Sequence, residues 1–179
     1  HVLPTVYHAQ KAVEAGVDAI IAEPAESGGY RGDNEVSMMV LIPAIHRAFP
    51  QTPLVGAGAV ADGVGMSAVM ALGADAVQLG TRFIASVEAE AAEPVRKLIL
   101  AAIDTSTESA EGRVRPRVAK KDFAMEVLGK EQRVQMGQVA ALIDEIKPVE
   151  AIMRELIEGG VANARKLAED FAAFDVEKV

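Results

Sequence analysis

The chain has no cysteine among its 179 residues, which removes disulfides, thiolate metal sites and cysteine nucleophiles together. A reducing compartment suits such a chain, and the expected location is the cytoplasm. No apolar run approaches the roughly 18 residues of a membrane span, and no basic-then-apolar leader precedes the first apolar segment. Clustered positive charge is also scarce: 18 Lys and Arg stand against 26 Asp and Glu, a formal charge of −8. Nucleic acid and anionic membrane are therefore disfavoured as partners, since both select dense Lys and Arg. What is present is half apolar, enough for one sizeable core. The chain opens on His1 and passes straight into an apolar run, so it is expected to be a piece of a longer polypeptide.

One stretch, Pro53 to Phe83 (PLVGAGAVADGVGMSAVMALGADAVQLGTRF), organises the rest. An apolar run (Leu54, Val55) ends in Gly56-Ala57-Gly58, an Ala/Met/Val helix is expected from Asp62 to Leu72, and a second apolar run (Ala76, Val77, Leu79) ends in Gly80-Thr81. Each glycine turn thus falls at the carboxyl end of a strand. In a parallel α/β sheet that edge binds ligands, and glycine lets backbone N–H groups approach an anion. Two such turns in consecutive units predict one phosphate cup. Asp62 reads as a helix N-cap.

Upstream, Val2 to Val6 reads as a short strand, Ala9 to Ala15 as a helix ended by Gly16, and Ala19-Ile20-Ile21-Ala22 as a strand covered on both faces. Ser27-Gly28-Gly29-Tyr30-Arg31-Gly32 is a glycine-rich loop, and a helix that Pro43 breaks or kinks is expected from Ser37 to Phe49. AGVDAII and LGADAVQL repeat one pattern, giving four strands with helices between them. Such repetition closes into a doubly wound sheet or a (β/α)8 barrel. A barrel typically needs about 250 residues and places its phosphate site after strands seven and eight. On the barrel reading this chain holds the second half, strands 5 to 8. The two open sheet edges then require an amino-terminal half, cut from the same product or supplied as a separate chain, and a homo-oligomer is also allowed for.

Residues 1–105 are assigned to the half-barrel, and 106–179 to a loop and helical tail packing on it. In the tail a helix is expected from Glu88 to Ile103, a polar loop from Asp104 to Lys121, a helix at Val139–Ile143 and another at Val149–Ile157. Gly159-Gly160 is expected to break the chain before a last helix, Val161 to Phe174. The basic cluster Arg113, Arg115, Arg117, Lys120 and Lys121 reads as a solvated loop, with a clamp for an anion as the sharper alternative. His46 reads as a surface or helix-end residue and His8 as a helix-start residue. Glu23 and Glu26 lack further ligands, so no metal site is expected. Met38, Met39, Met66 and Met70 read as helix packing.

Three segments, AEPAESGGYRG, VGAGAVADG and ALGADAVQLGTRF, resemble the signature segments of the nitronate monooxygenase (2-nitropropane dioxygenase) family, which includes flavin-dependent enoyl-acyl-carrier-protein reductases. DTST from Asp104 and GQVAALIDEIKPVEAI from Gly137 resemble its later segments. The resemblance implies a (β/α)8 barrel holding FMN noncovalently. By position it assigns cofactor-binding roles to Glu23, Gly28, Gly29, Gly58, Ala59, Gln78, Leu79, Gly80 and Thr81. Relatives commonly carry Gly where Ala59 stands, Gly where Pro24 stands, and a catalytic His where Tyr30 stands. The catalytic residue is left unassigned; Tyr30 is a candidate only because it stands at that histidine's position, and a phenol is a poor base near neutral pH. The implied activity is oxidation of alkyl nitronates with O2. The alternative is enoyl reduction with NAD(P)H, in which Arg113 to Lys121 would face an acidic carrier protein. A reading of another class is a phosphate-ligand-binding subunit without redox chemistry.

Overall fold

In the computed structural model, which describes residues 1–31, 35–111 and 115–174, β1 (Val2–Leu3), β2 (Ile20–Ala22), β3 (Leu54–Ala57) and β4 (Ala76–Gln78) form one sheet in the order β1-β2-β3-β4, every pair parallel. Gly32 and Arg113, named above, lie outside the described residues. The register sets Ile21 opposite Val55, and Val55 opposite Ala76. The three crossovers carry α1 (Val6–Glu14), α2 (Met38–Ala48) and α3 (Gly63–Ala71), as parallel pairing demands. The expected β-α repetition is therefore observed, with strands shorter than the apolar runs that announce them.

Local chemistry explains where the helices start. Thr5 caps α1, its hydroxyl accepting from the His8 N–H at 3.3 Å. Asp62 caps α3 as expected, accepting from Gly65 N–H at 2.8 Å. Ser37 makes no side-chain cap on α2; the Glu26 carboxylate accepts from Met38 N–H instead, at 3.1 and 3.2 Å. α2 does not end at Pro43 but continues to Ala48. The proline forfeits one backbone bond, and the burial of Leu41, Ile42 and Ile45 holds the turns on either side. These three side chains pack with Leu3, Ile20 and Leu54 in the core over the sheet.

Beyond β4 follow α4 (Thr81–Ile84), α5 (Glu93–Leu100), β5 (Thr107–Ser109), β6 (Arg117–Ala119), α6 (Lys121–Leu128), a 3-10 turn (Gln138–Leu142) and α7 (Val149–Ala172). The helix expected from Glu88 starts later, at Glu93, because Pro94 belongs in a first turn. The segment read as a solvated loop from Asp104 instead holds an antiparallel pair, β5 with β6, and Arg117 within it is buried. α6 has no counterpart in the sequence reading. A second core, including Leu98, Ile99, Ala124, Met136 and Ile143, lies beneath these elements. Of the four methionines, Met38 is buried and Met66 partly so, whereas Met39 and Met70 are exposed.

The expected break at Gly159-Gly160 is absent: α7 is one helix of 24 residues. The two glycines are where α7 crosses the start of α3. A Cβ added at Gly63 would lie 2.1 Å from Gly160 N and 2.3 Å from Gly159 C. Packing at that crossing outweighs the low helix propensity of glycine, about 1 kcal/mol each. Among the described residues no helix is long and apolar enough to cross a membrane.

The crossing predicts an asymmetry between its two sides. Gly63→Ala should lower stability by about 2–3 kcal/mol, because its Cβ meets backbone. At Gly160 the nearest atoms to an added Cβ are 3.4 Å and 3.5 Å away, so Gly160→Ala should change stability by less than about 1 kcal/mol. Urea unfolding midpoints measure both; equal losses would refute the account of the crossing.

Candidate functional site

The carboxyl ends of β2, β3 and β4 open on a cleft of about 280 Å³. It is lined by Glu23, Ser27, Gly28 and Gly29 after β2, by Ala57 and Gly58 at the end of β3, by Gln78, Gly80, Thr81 and Ile84 after β4, and by Gln135 from the distant tail. Seven of the nine expected cofactor-binding residues are thus brought together. The other two, Ala59 and Leu79, turn their side chains onto the sheet core, so what they bring to these turns is backbone. Tyr30 does not line the cleft and is 66% exposed.

The turn after β3 has an unusual backbone. Gly58 has φ 72° and Ala59 φ 50°, both left-handed. Alanine there stores strain that glycine would not. A Cβ at Gly58 would fall 2.1 Å from Ser27 Oγ, so Gly58 is fixed both by φ and by the neighbouring loop. Ser27 donates to Ala57 O at 3.4 Å. Gly28 is fixed differently: its Cβ would lie 2.5 Å from Gly137 N and 2.7 Å from Met136 C. The tail segment at Met136-Gly137 therefore runs directly against the glycine loop.

The turn after β4 is the one open to a ligand. An added Cβ at Gly80 meets no heavy atom within 4 Å. α4 begins at Thr81, and the N–H groups of a first turn have no partner within their helix. The Thr81 hydroxyl accepts from Gly137 N–H at 3.0 Å, which leaves its own hydrogen to donate. Behind the turn, buried Arg82 donates to Glu145 O at 3.0 Å and Ala85 O at 3.4 Å, tying α4 to the segment before α7.

Among the described residues Glu23 is the only ionisable side chain lining the cleft. Burial pushes its carboxyl above the ordinary glutamate range, and the nearby Arg31 guanidinium opposes the shift. The Arg31 side chain is 2% exposed and pairs through Nη2 with Glu35 at 3.0 Å and with Ser109. Its Nε and Nη1 are buried and make no hydrogen bond among the described residues. Glu35 is held below the usual range by its bonds from Ser109 and Arg31. Glu26, the second carboxylate noted in the sequence, is spent on capping α2. His8 sits at the start of α1, where its Nδ1 bonds the Thr5 hydroxyl at 2.7 Å, and His46 is exposed in the last turn of α2, both as expected.

A larger hollow, about 670 Å³, lies beside the β5–β6 pair, lined by Glu108, Glu111, Lys121, Glu131 and Arg133 among others. Its charges alternate, and Lys121 pairs with Glu131 at 3.6 Å, so it offers no converging set of donors. The smaller cleft is the candidate site. Sequence reasoning missed Ser27 and Gln135 there. Gln135 had no local signal, since it arrives only through an antiparallel bridge between Val118 and Gln135.

The family model for nitronate monooxygenase matches residues 1–155. The chain belongs to the nitronate monooxygenase family. A nitronate monooxygenase of Paraburkholderia phytofirmans is 36% identical over 121 residues, covering 62% of this chain and 33% of that protein. Among solved structures, FabK from Thermotoga maritima superposes with a TM-score of 0.85 at 35% identity, over 94% of this chain and 62% of that one. A nitroalkane oxidase from Streptomyces ansochromogenes gives 0.76 at 25% identity, over 90% and 58%. The chain thus spans about 60% of the length of these two structures and a smaller share of the curated relative. In the family's terms, the three resembling segments are the three turns of the cleft.

Two measurements probe this geometry. Thr81→Val leaves the buried Gly137 N–H without its acceptor and should cost about 1–3 kcal/mol of stability by denaturant unfolding; an unchanged midpoint would place that bond elsewhere. Because the Glu23 carboxyl is raised, its ionised form weighs against the fold. That penalty is absent below the ordinary glutamate value of about 4.3 and complete above the raised one. Glu23→Gln should therefore melt higher than the parent at neutral pH, with the gap closing as the pH falls to about 4. A gap that widens on acidification would contradict burial as the cause.

Proposed function

We propose that this chain is the cofactor-holding half of an FMN-dependent (β/α)8 oxidoreductase that oxidises alkyl nitronates with O2. The observation that carries the reading is the convergence of three glycine turns on one cleft, with open space at Gly80 and no fixed negative charge at that turn. A phosphate dianion needs several converging donors, and backbone amides with one hydroxyl supply them without a mobile charge. The residues present therefore fit an FMN phosphate. Gly58, Ala59, Gly80 and Thr81 would hold the phosphate, while Glu23, Gly28, Gly29 and Gln78 would line the remainder. FMN, when bound, supplies the redox chemistry.

The chain's own residues do the rest. The glycine turns orient the cofactor and exclude water from its phosphate. Glu23, the one proton-exchanging group on the cleft, holds or takes a proton at its carboxyl, and a raised pKa brings that exchange closer to neutral pH. Tyr30, exposed and next in sequence to Gly29 of the cleft, would offer a hydroxyl to a polar substrate group. Among the described residues β1 and β4 are the edge strands of the parallel sheet, each paired on one side, which supports a sheet that continues on both sides. We assign that continuation to an amino-terminal half of the barrel, and residues 106–174 to packing on the half-barrel. The absence of cysteine supports a cytoplasmic setting.

The higher TM-score to FabK than to the nitroalkane oxidase, with tyrosine where relatives place histidine, favours keeping enoyl reduction by NAD(P)H as the second reading. Oxygen uptake on adding ethyl nitronate, against NAD(P)H oxidation with an enoyl thioester, separates the two. Gly80→Leu fills the open space and should abolish FMN retention in either case. Retention of FMN by that variant would overturn the site, and flavin without either turnover would overturn both activities.

A further inference from the structure

The segment after α5 looks peripheral in sequence, yet it supplies a wall of the cleft. β6 is paired on one side with β5; on the other, Ala119 N–H donates to Val134 O at 2.8 Å and Val118 bridges to Gln135. At its start, Arg117 exchanges two backbone bonds with Gly29: Arg117 N–H to Gly29 O at 2.9 Å and Gly29 N–H to Arg117 O at 3.3 Å. Three consecutive residues of the same tail then reach the loop. Gln138 N–H donates to Glu26 O at 3.0 Å, and the Met136-Gly137 backbone fills the space a side chain at Gly28 would need.

The Arg117 side chain completes this enclosure. It is 6% exposed, and its Nε donates to Ala25 O at 2.9 Å while Nη1 donates to Thr107 Oγ1 at 3.2 Å. Both acceptors are neutral. Burial and the nearby Arg31 charge both weigh against this guanidinium, with Glu35 and Glu26 offsetting part of the cost. An apolar side chain would fill the same volume without that cost. What only arginine supplies is a rigid fork that bonds the loop at Ala25 and the β5 strand at Thr107 together.

We propose that Arg117 is a positioning residue that locks the Ala25–Gly29 loop against the β5–β6 pair, and so sets the backbone of the cleft's first glycine turn. This rests on the cofactor reading only for its consequence in FMN binding, not for the lock itself. Hydrogen–deuterium exchange of the full chain, followed in peptides covering residues 24–31, measures the lock without cofactor. Arg117→Met should speed exchange there by about tenfold or more. Arg117→Lys, able to reach one acceptor, should recover part of the protection. Thr107→Val keeps the buried charge and removes one acceptor, so it should give a smaller increase and serves in place of Arg117→Met if that variant does not fold. Leu156→Ala, a cavity remote from the loop, sets the change expected from general destabilisation.

Exchange in 24–31 that rises in the Arg117 and Thr107 variants beyond the Leu156→Ala control supports the lock. Exchange that matches the parent, or rises no more than in the control, overturns it. FMN titration of the same samples keeps the two ideas apart. A parent that binds no FMN, even with the amino-terminal half proposed above added, while its Arg117 variants lose loop protection upholds the lock and sinks the cofactor reading. A parent that binds FMN while the variants keep full protection does the reverse.

Discussion

Everything at the cleft depends on one close approach of two backbones, Gly28 against Met136-Gly137. The distances of 2.5 and 2.7 Å that a Cβ would have to these atoms mean that no side chain can stand at Gly28. The loop after β2 is therefore laid directly on an extended segment more than a hundred residues later. From that contact the neighbouring constraints follow. Gly137 N–H is brought to the Thr81 hydroxyl, which links the first turn to the third, and Ser27 is brought against Gly58, which links the first to the second. Three turns that belong to separate β-α units are thereby held as one surface. Interior packing transmits displacement poorly absorbed elsewhere, so a shift in any of these contacts moves all three turns.

The electrostatics of the site follow from what stands near it. One carboxylate, Glu23, lines the cleft, and two buried guanidinium groups, Arg31 and Arg117, sit behind its glycine loop. Arg31 is balanced by the half-exposed Glu35, whereas Arg117 ends on neutral oxygens. With Glu26 and Glu35 beside these guanidinium groups and Glu23 on the cleft, the region carries no excess of positive charge, in keeping with −8 for the chain as a whole. What it offers an anion is its backbone N–H groups and the Thr81 hydroxyl rather than a net field.

The parallel sheet and its three glycine turns were legible because each β-α unit announces itself locally: an apolar run, a glycine at the strand end, and a cap such as Asp62. Ala59 was legible as a departure from the family's pattern, and its φ of 50° shows the backbone it had to adopt. The tail was read less well for definite reasons. β5 and β6 are three residues each and carry Glu, Ser and Arg, so no alternation marks them, and the burial of Arg117 depends on acceptors at Ala25 and Thr107 that only the fold brings near. Gly159-Gly160 has the local signature of a break, but its helix is held by the crossing on Gly63. Gln135 reached the site through pairing alone. The family resemblance pointed to the turns, while the segment holding β6 was read only as a solvated loop, an anion clamp or a contact for a carrier protein, and not as a wall of the cleft.

On the reading proposed above, the cleft formed by these turns is built around a phosphate. That reading is tested most directly by the binding of FMN against riboflavin, which is the same ring system and ribityl chain without the phosphate, by flavin fluorescence titration of the protein together with the amino-terminal half proposed above. The account predicts that FMN binds at least about a hundredfold more tightly, as the loss of several charge-assisted bonds requires, and that inorganic phosphate competes with it. Equal affinities for the two flavins would contradict a phosphate cup at Gly80 and Thr81, and with it the reading of the glycine turns on which the functional assignment stands.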